Sequence, residues 1–269
     1  MNDRFFAFGC SFTNWNYPTW ADFIGINFKE YRNIGRTGGS NLHMLEKLVE
    51  IDNRFGLDQN DTVYIMLTGV FRFSYCDNNE NWNYDGDLIN YVAKNNRTPM
   101  RNFIKDIYNE TFAVHQTWTA VLAMKSILES KKVKHKILMG IDNSHYLQRN
   151  SHEHGRDLTN SIKSINKMKQ VYEICDLDTS LESWLIEHKI YQEVAIQYKD
   201  GTVDGHPNYT SQFRFIERNF PEYYTDASKK LQQVTTQECQ FLNQRQQARD
   251  WDKIRRRFTK MDTENGNTL

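Results

Sequence analysis

The stretch RFFAFGCSFTNW, residues 4–15, begins as an apolar run and ends in a sharp polar turn. Residues 4–8 are apolar at almost every position, which predicts a strand buried on both faces of a sheet. Gly9 ends this strand, and Ser11 follows two residues later. A serine in such a turn is either a nucleophile that projects into a cleft or a residue that stabilises the turn. The rest of the chain has to distinguish between the two.

Alternating strands and helices are predicted beyond this stretch from the period of the apolar residues. The predicted strands are 4–8, a short one before residue 33, 61–69, 134–142 and 171–175, and the predicted helices lie within 14–28, 41–51, 103–128, 159–170 and 180–188. The helix at 41–51 is expected to be capped by Ser40 or Asn41. The Asn- and Asp-rich segment 76–101 is predicted as a long loop. Crossovers of this length favour parallel pairing, so we expect a doubly wound α/β sheet.

Polar and glycine-rich segments follow several of the predicted strands. Ligands bind beyond the carboxyl ends of the strands in doubly wound sheets, so we expect these segments along one edge with Ser11. RTGGSN, residues 36–41, places Gly38 near the start of a helix, where a backbone N–H can face a developing negative charge. Late in the chain, TVDGHPNYTSQ supplies Asp204 and His206 in one loop. The sequence therefore offers a nucleophile, an oxyanion donor, a base and an orienting carboxylate.

In that chain order, these groups resemble the motifs of the SGNH or GDSL hydrolase family. Its first motif, G-D-S-[LFY]-[TS], is matched by GCSFT, residues 9–13, with Cys10 in place of the usual Asp. The second, an Asn followed shortly by a Gly, is matched by Asn33 and Gly38. The last, D-x-x-H-P, is approximated by DGHP, residues 204–207, which is one residue shorter.

The resemblance covers roughly residues 4 to 220 and implies a flavodoxin-like three-layer α/β/α sandwich with a mostly parallel sheet of about five strands. It also implies a serine esterase that needs no metal or other cofactor. Ser11 would attack the acyl carbon, His206 would act as base and then as acid, and Asp204 would orient the imidazole. The backbone N–H groups of Ser11 and Gly38 would form part of the oxyanion hole.

The sequence departs from the family pattern at the third motif, G-x-N-D, whose Asn side chain belongs to the oxyanion hole. Aligning VYIMLTGVFRF, residues 63–73, by its strand puts Val70 at the Asn position. The candidates for a replacement donor or a substrate contact are Thr68, Arg72, Ser74 and Asn41. The Arg72 guanidinium could also hold an anionic group of the substrate.

The second departure is the short spacing between Asp204 and His206. Residues two apart in an extended loop point the same way, so the carboxylate is expected to reach Nδ1 of the ring. If it did not, Asp200 or a backbone carbonyl would have to orient the imidazole, and the site would approach a Ser-His dyad.

Three other interpretations of these residues remain open. Cys10 could replace Ser11 as nucleophile, although no basic residue lies near it in the sequence to favour a thiolate. The glycines at 35–39 could cradle a phosphate, but neither G-x-G-x-x-G nor G-K-[ST] is present. His152 and His154 suggest a metal site, yet their spacing is not H-E-x-x-H.

Composition narrows the class of protein further. The 34 basic and 34 acidic side chains cancel, so no overall field favours nucleic acid or a membrane surface as a partner. Four cysteines without C-x-x-C spacing argue against a zinc knuckle and a disulfide scaffold and favour free thiols. No signal peptide or membrane span is evident, so we expect a soluble protein of the cytoplasm.

Aromatic side chains near the predicted cleft favour a wet, sugar-like ligand, so deacylation of a carbohydrate is the narrower expectation. The aromatic residues concerned are Trp15, Tyr17, Trp20, Trp82 and Tyr84. Two competing hypotheses use the same fold. One is a catalytically impaired relative that binds a ligand or a partner protein, and the other is an acyltransferase.

The chain after residue 224 changes character. We predict an α/β domain at 1–224, a helical extension at 225–260 and a disordered tail at 261–269. The extension is polar, with an incomplete apolar stripe and a basic run at 255–257 that acidic residues interrupt. Packing on the domain, or a homo-oligomer formed through this helix, is therefore favoured over an arm that binds nucleic acid.

Overall fold

The computed structural model describes residues 4–76, 82–87, 109–144, 158–191 and 204–241. The strands are β1 (Arg4–Phe8), β2 (Glu30–Asn33), β3 (Asp61–Leu67), β4 (Arg72–Cys76), β5 (Trp82–Asp87) and β6 (Lys134–Met139). The helices are α1 (Trp20–Gly25), α2 (Asn41–Phe55), α3 (Glu110–Ser130), α4 (Leu158–Ile174), α5 (Leu181–Glu187), α6 (Tyr209–Asn219) and α7 (Asp226–Phe241), with a 3₁₀ turn at Pro221–Tyr223.

The main sheet is parallel and has the strand order β2-β1-β3-β6 among the described residues. From β1 the chain first moves outward to β2, and it then returns to β3 and continues to β6 on the other side. The strand order therefore reverses between β1 and β3. A crevice opens at the carboxyl ends of two such strands, and the turn that contains Ser11 leaves β1 at this point.

Successive residues of the central strands point to opposite faces of the sheet, and each face carries its own apolar core. Phe5 and Ala7 of β1 pack with side chains of α1, α5, α6 and α7 on the first face. Phe6 and Phe8 pack with side chains of α2, α3 and α4 on the second face. Every residue of β3 is buried. The predicted three-layer α/β/α arrangement with a parallel sheet is confirmed.

The predicted fifth strand at 171–175 is wrong. Residues 171–174 form the last turn of α4, in which Met168 and Val171 are fully buried against the second face of the sheet. Three residues separate these two side chains, which is helical spacing, and a short apolar run does not distinguish a strand from a buried helix. The main sheet consequently has four strands, not about five, in the described part of the chain.

The predicted loop at 76–101 is wrong for residues 82–87, which form β5 and pair antiparallel with β4 in a separate two-stranded sheet. The register places Ser74 opposite Tyr84. The Ser74 Oγ accepts a hydrogen bond of 3.0 Å from the Ser40 N–H. Because Ser40 is the N-cap of α2, as predicted, this bond fixes the β4–β5 hairpin beside the glycine-rich turn.

Helix α7 is the described part of the predicted C-terminal extension. Its Leu231 and Thr235 are fully buried, and the helix contacts α1 and α6 on the first face of the sheet. The run at 255–257 lies outside the described residues. No helix in the described ranges combines the length and the apolar character that a membrane crossing requires.

A close approach of backbone and side chain explains the glycine that ends β1. A Cβ atom at Gly9 would lie 1.9 Å from Thr13 Oγ1 and 3.2 Å from the Met66 carbonyl oxygen. Thr13 has no room to move, because it is fully buried and its Oγ1 accepts a hydrogen bond of 3.2 Å from Trp20 Nε1. Glycine at this position therefore sets the path of the turn that follows.

We expect Gly9→Ala to lower the free energy of unfolding by about 1–3 kcal/mol, because the added methyl group overpacks the turn. Urea unfolding measures this difference. Gly205→Ala is the control, since a Cβ atom there would meet nothing within 4 Å. The packing argument is wrong if both variants unfold at the same urea concentration as the unmodified protein.

Candidate active site

The turn at residues 10–14 is called the nucleophile turn, because it contains Ser11, the nucleophile predicted from sequence, and it has the hydrogen bonds of one helical turn. The Cys10 carbonyl accepts hydrogen bonds from the backbone N–H groups of Thr13 at 3.0 Å and Asn14 at 3.1 Å. This geometry leaves the N–H groups of Ser11 and Phe12 at the open amino end of the turn, as at a helix N-terminus. Ser11 itself is only 1% exposed. Its side chain is therefore available to a neighbouring group in the interior of the site and not to bulk solvent.

The structure brings Ser11, His206 and Asp204 together in a hydrogen-bonded chain. The His206 Nε2 lies 3.0 Å from Ser11 Oγ, and its Nδ1 lies 2.7 Å from Asp204 Oδ1. The same carboxylate oxygen accepts the backbone N–H of His206 at 3.0 Å. The short spacing between the two residues thus lets one oxygen hold both the backbone and the ring. With Nδ1 as the donor to the carboxylate, Nε2 is free to accept the serine proton.

Trp15 contacts both Asp204 and His206. Its Nε1 donates a hydrogen bond of 2.8 Å to Asp204 Oδ2, the oxygen that His206 does not use. Its ring stacks on the imidazole with the ring centres 3.7 Å apart and the planes at 29°. The Phe12 ring approaches the imidazole edge-on from 6.0 Å. The imidazole is therefore confined by aromatic rings as well as by hydrogen bonds.

The environment of Asp204 favours its charged form. Burial alone would raise the pKa of this carboxyl group, but the hydrogen bonds from His206 and Trp15 outweigh burial and hold the pKa below its ordinary value. An ionised carboxylate consequently faces the imidazole throughout the neutral range. This arrangement stabilises the positive charge that His206 would carry after it accepts a proton.

Hydrogen bonds join the nucleophile turn to the glycine-rich turn after β2. Asn33 Nδ2 donates to the Thr13 carbonyl at 2.7 Å, and its Oδ1 accepts the Gly35 N–H at 3.0 Å. Asn14 Nδ2 donates to the Gly35 carbonyl at 2.8 Å. A Cβ atom at Gly35 would lie 2.9 Å from Asn14 Cβ, so the two turns pack without space between them.

Gly38 is the residue that the motif assigns to the oxyanion hole. It lies in the left-handed region with φ of 77°, which favours glycine. Two backbone hydrogen bonds flank Gly38 in the chain. The Gly39 N–H donates to the Arg36 carbonyl at 2.9 Å, and the Arg36 N–H donates to the Gly9 carbonyl at 2.9 Å. The backbone bond to Gly9 ties this turn to the end of β1, from which Ser11 follows.

The carboxyl end of β3 holds no donor side chain at the position of the family's Asn. Val70 is buried, and its N–H donates to Asn143 Oδ1 at 3.3 Å. Two residues earlier, the Thr68 Oγ1 is fully buried and has no hydrogen-bond partner among the described residues. A buried hydroxyl without a partner is uncommon in folded proteins and calls for an explanation.

Asn41 is buried and its amide is engaged by the protein itself. The Oδ1 accepts the Thr68 N–H at 2.9 Å, while Nδ2 donates to the Thr68 carbonyl at 3.2 Å and to Thr117 Oγ1 at 3.2 Å. Asn41 was a candidate for a substrate contact from sequence. In the structure Asn41 is buried beside the carboxyl end of β3, where it fixes the backbone of Thr68.

The other residues considered from sequence take different places. Arg72 opens β4 and is partly exposed, with its N–H donating to the Gly69 carbonyl at 3.1 Å. Cys10 is fully buried in the core of the first face, while His206 is bonded to the neighbouring serine. His152, His154 and Asp200 lie outside the described residues.

Comparisons with known proteins give structural neighbours only. Neither a protein-family model nor a curated protein matches the chain. A member of the lipolytic G-D-S-L family from Veillonella parvula has a TM-score of 0.38 and 13% identity, covering 87% of this chain and 96% of its own. A Bacteroides fragilis protein whose description proposes an acylhydrolase has a TM-score of 0.36 and 12% identity, covering 86% and 88%.

A third neighbour, from Bacillus subtilis, has a TM-score of 0.42 and 12% identity and covers 81% of this chain, which in turn spans 57% of that protein. At these scores and identities the likeness supports no statement about activity. The α/β arrangement of this chain rests on its own strand order and its two cores, and the candidate site rests on its own distances.

Sequence reasoning missed the role of Trp15. It named this residue among the aromatic groups that could stack on a sugar, whereas the structure stacks it on His206. Tyr17 and Trp20, from the same group, are buried, with the Tyr17 hydroxyl donating to the Pro207 carbonyl at 3.1 Å. No local feature of the sequence signals this contact, because Trp15 bonds to Asp204, which lies 189 positions away.

We expect Asn41→Ala to lower the free energy of unfolding by about 1–3 kcal/mol, because it leaves the buried N–H and carbonyl of Thr68 without their side-chain partner. Asn53→Ala is the matched control on the same helix, since Asn53 is exposed and such a change usually costs less than about 0.5 kcal/mol. Chemical unfolding of both variants compares their stabilities. Equal free energies of unfolding would contradict the stabilisation of the Thr68 backbone by Asn41.

The lowered pKa of Asp204 predicts a pH dependence of stability. The folded state favours the carboxylate, so its contribution is complete above the ordinary carboxyl pKa, about 4, and is lost as the pH falls through the lower value of the folded protein. We therefore expect Asp204→Asn to be less stable than the unmodified protein at neutral pH, with the difference shrinking below about pH 4.

Urea unfolding between about pH 7 and about pH 3, where the carboxyl group gains its proton, measures this difference. Asp178→Asn removes an exposed carboxylate and is expected to change the free energy of unfolding by less than about 0.5 kcal/mol. If Asp204→Asn is less stable than the unmodified protein by the same free energy at every pH in this range, the folded state does not favour the Asp204 carboxylate.

Proposed function

We propose that this protein is a carboxylic ester hydrolase that uses Ser11 as its nucleophile. The observation that supports the proposal is the chain of hydrogen bonds from Ser11 Oγ through His206 to Asp204, with distances of 3.0 Å and 2.7 Å. A serine hydroxyl becomes a useful nucleophile when a base within this reach accepts its proton and a third group orients the base.

The proposed reaction has two halves. Ser11 Oγ attacks the acyl carbon as its proton passes to His206 Nε2, and the alcohol then leaves with that proton, giving an acyl-enzyme. A water molecule next attacks the acyl carbon, losing a proton to the same nitrogen, and the carboxylic acid leaves as Ser11 regains its proton. Asp204 stays ionised and holds the imidazole in both halves.

The developing oxyanion needs donors, and the open N–H groups at the start of the nucleophile turn and the Gly38 N–H are the proposed ones. Val70 removes the side-chain donor that the family pattern places after β3. We propose the Thr68 hydroxyl as its replacement, because it lies at the carboxyl end of β3 and has no other partner in the described residues. The loss of one such donor costs on the order of 10²–10³ in rate where no substitute exists.

The narrower proposal is an O-acylated carbohydrate as the substrate. Trp15, Tyr17 and Trp20 no longer support it, because they pack within the protein. The support lies in the β4–β5 hairpin, which carries Trp82 and Tyr84 and is bonded through Ser74 to the start of α2. Transfer of the acyl group to a sugar hydroxyl in place of water would use the same protein groups.

A fluorophosphonate probe tests the proposal, because its phosphorus reacts with a serine that a neighbouring base has activated. We expect one adduct, mapped to Ser11 by peptide mass spectrometry. Ser11→Ala should abolish labelling, and His206→Ala should slow it by on the order of 10³-fold or more, as for other residues of serine triads.

Ser126→Ala and His135→Ala are the matched controls, since they remove a serine and a histidine elsewhere in the described chain, and both should label at the rate of the unmodified protein. An unlabelled Ser11 in the folded protein would favour the competing hypothesis, a relative with the same fold that binds a ligand without turning it over. The observation that favours this alternative is Val70, which stands where the family pattern has the Asn of the oxyanion hole.

A further inference from the structure

Trp15 contacts both groups that the proposed proton transfer requires, Asp204 and His206, and it directly follows the nucleophile turn in the chain. The indole N–H donates to Asp204 Oδ2 at 2.8 Å, and the indole ring stacks on His206 at 3.7 Å. Asp204 lies 189 positions from Trp15 in the sequence, and His206 lies two positions beyond it. A surface aromatic that only filled space would need neither the hydrogen bond nor the stack.

The hydrogen bond restricts the carboxylate. Asp204 has two oxygens, and Oδ1 is occupied by the backbone and ring of His206. A carboxylate held at one oxygen can still rotate and exchange its oxygens, whereas a charge-assisted bond to the second oxygen fixes its plane. Asp204 is buried, so water has little access to take over the role of the indole donor.

The stack restricts the imidazole. Two rings in face contact resist tilting, because tilting separates their surfaces, while small displacements within the plane cost little. His206 needs this freedom, since it receives a proton from Ser11 and must then deliver it to a leaving group a short distance away. The indole face also favours a positive charge on the ring that it covers, which His206 carries between the two steps.

We propose that Trp15 is a positioning residue, which holds the Asp204 carboxylate and the His206 imidazole in one orientation for proton transfer from Ser11. Its hydrogen bond goes to the Asp204 carboxylate and its ring stacks on the His206 imidazole, while the Ser11 hydroxyl is bonded to His206. It acts through the two groups that do the chemistry, and it links the loop of the base to the loop of the nucleophile. This inference rests on the proposed function for its kinetic test and on the contacts alone for its structural test.

Trp15→Phe and Trp15→Ala separate the two contacts. Phenylalanine keeps a ring over the imidazole but loses the donor to Asp204, and alanine loses both. We expect the second-order rate of fluorophosphonate labelling to fall about tenfold in Trp15→Phe, the value of one charge-assisted hydrogen bond, and about a hundredfold in Trp15→Ala.

Trp184→Phe is the matched control, because Trp184 also stacks on a histidine, His188, with ring centres 4.3 Å apart, and it is at least as buried as Trp15. It should label within about twofold of the unmodified protein, a change of less than 0.5 kcal/mol. Urea unfolding of all the variants identifies the conditions in which each is fully folded, so that lost labelling is not caused by unfolding.

The second measurement follows the Asp204 carboxyl carbon by ¹³C NMR as the pH is lowered, with Asp204→Asn used to assign the signal. Loss of the indole donor removes one of the bonds that favour the carboxylate, so Trp15→Phe should raise the pKa of Asp204. Trp184→Phe should leave the titration where it is. This readout needs no turnover and is not moved by a general loss of packing.

The outcomes separate the two proposals. If Ser11 labels in the unmodified protein and Trp15→Phe labels as fast, or leaves the Asp204 titration unchanged, the positioning role is overturned and the ester hydrolase stands. If Ser11 does not label at all, the proposed function fails, and the titration alone decides whether Trp15 holds the carboxylate. Slower labelling together with the raised pKa supports the role.

Discussion

The hydrogen bond between Ser11 Oγ and His206 Nε2 is the contact on which the rest of the site depends. It joins two loops that lie 195 residues apart in the chain, and its length of 3.0 Å tolerates little relative movement of either. The parallel sheet supplies one side of the contact, because the turn with Ser11 leaves the carboxyl end of β1. Helix α6 then brings the Asp204–His206 loop to that turn by packing Phe215 and Ile216 into the core.

Several polar side chains near the site form hydrogen bonds with backbone groups of the protein. Asn33 and Asn14 bond the nucleophile turn to the glycine-rich turn, and Asn41 bonds the backbone N–H and carbonyl of Thr68. These amides satisfy backbone groups that the irregular turns would otherwise leave unpaired in the interior. Asn33 and Asn14 therefore hold the nucleophile turn against the glycine-rich turn, and their removal would act first on stability and only through it on chemistry.

The sequence predicted the parts of the molecule whose signal is local and periodic. The strands around Phe6 and Ile65 and the helix capped by Ser40 follow from apolar spacing and cap chemistry, and the order of motifs placed Ser11, Asp204 and His206 in one site. It failed for residues 171–175, whose apolar spacing fits both a strand and a helix, and for β5, whose Asn and Asp content hides a hairpin. The sequence did not predict the contact of Trp15 with His206, because no local pattern indicates which distant ring an aromatic side chain contacts.

The division of the site between an early loop and a late one has a consequence for synthesis of the protein. Ser11, Trp15 and the glycine-rich turn leave the ribosome before Asp204 and His206, and His206 follows Ser11 by 195 residues. Until residues 204–219 have emerged and α6 has packed on α1, the serine has neither a base nor a carboxylate beside it. Under the proposed function, Ser11 of a nascent chain therefore lacks the groups that would activate it, and reactivity at Ser11 would report that α6 has docked on α1.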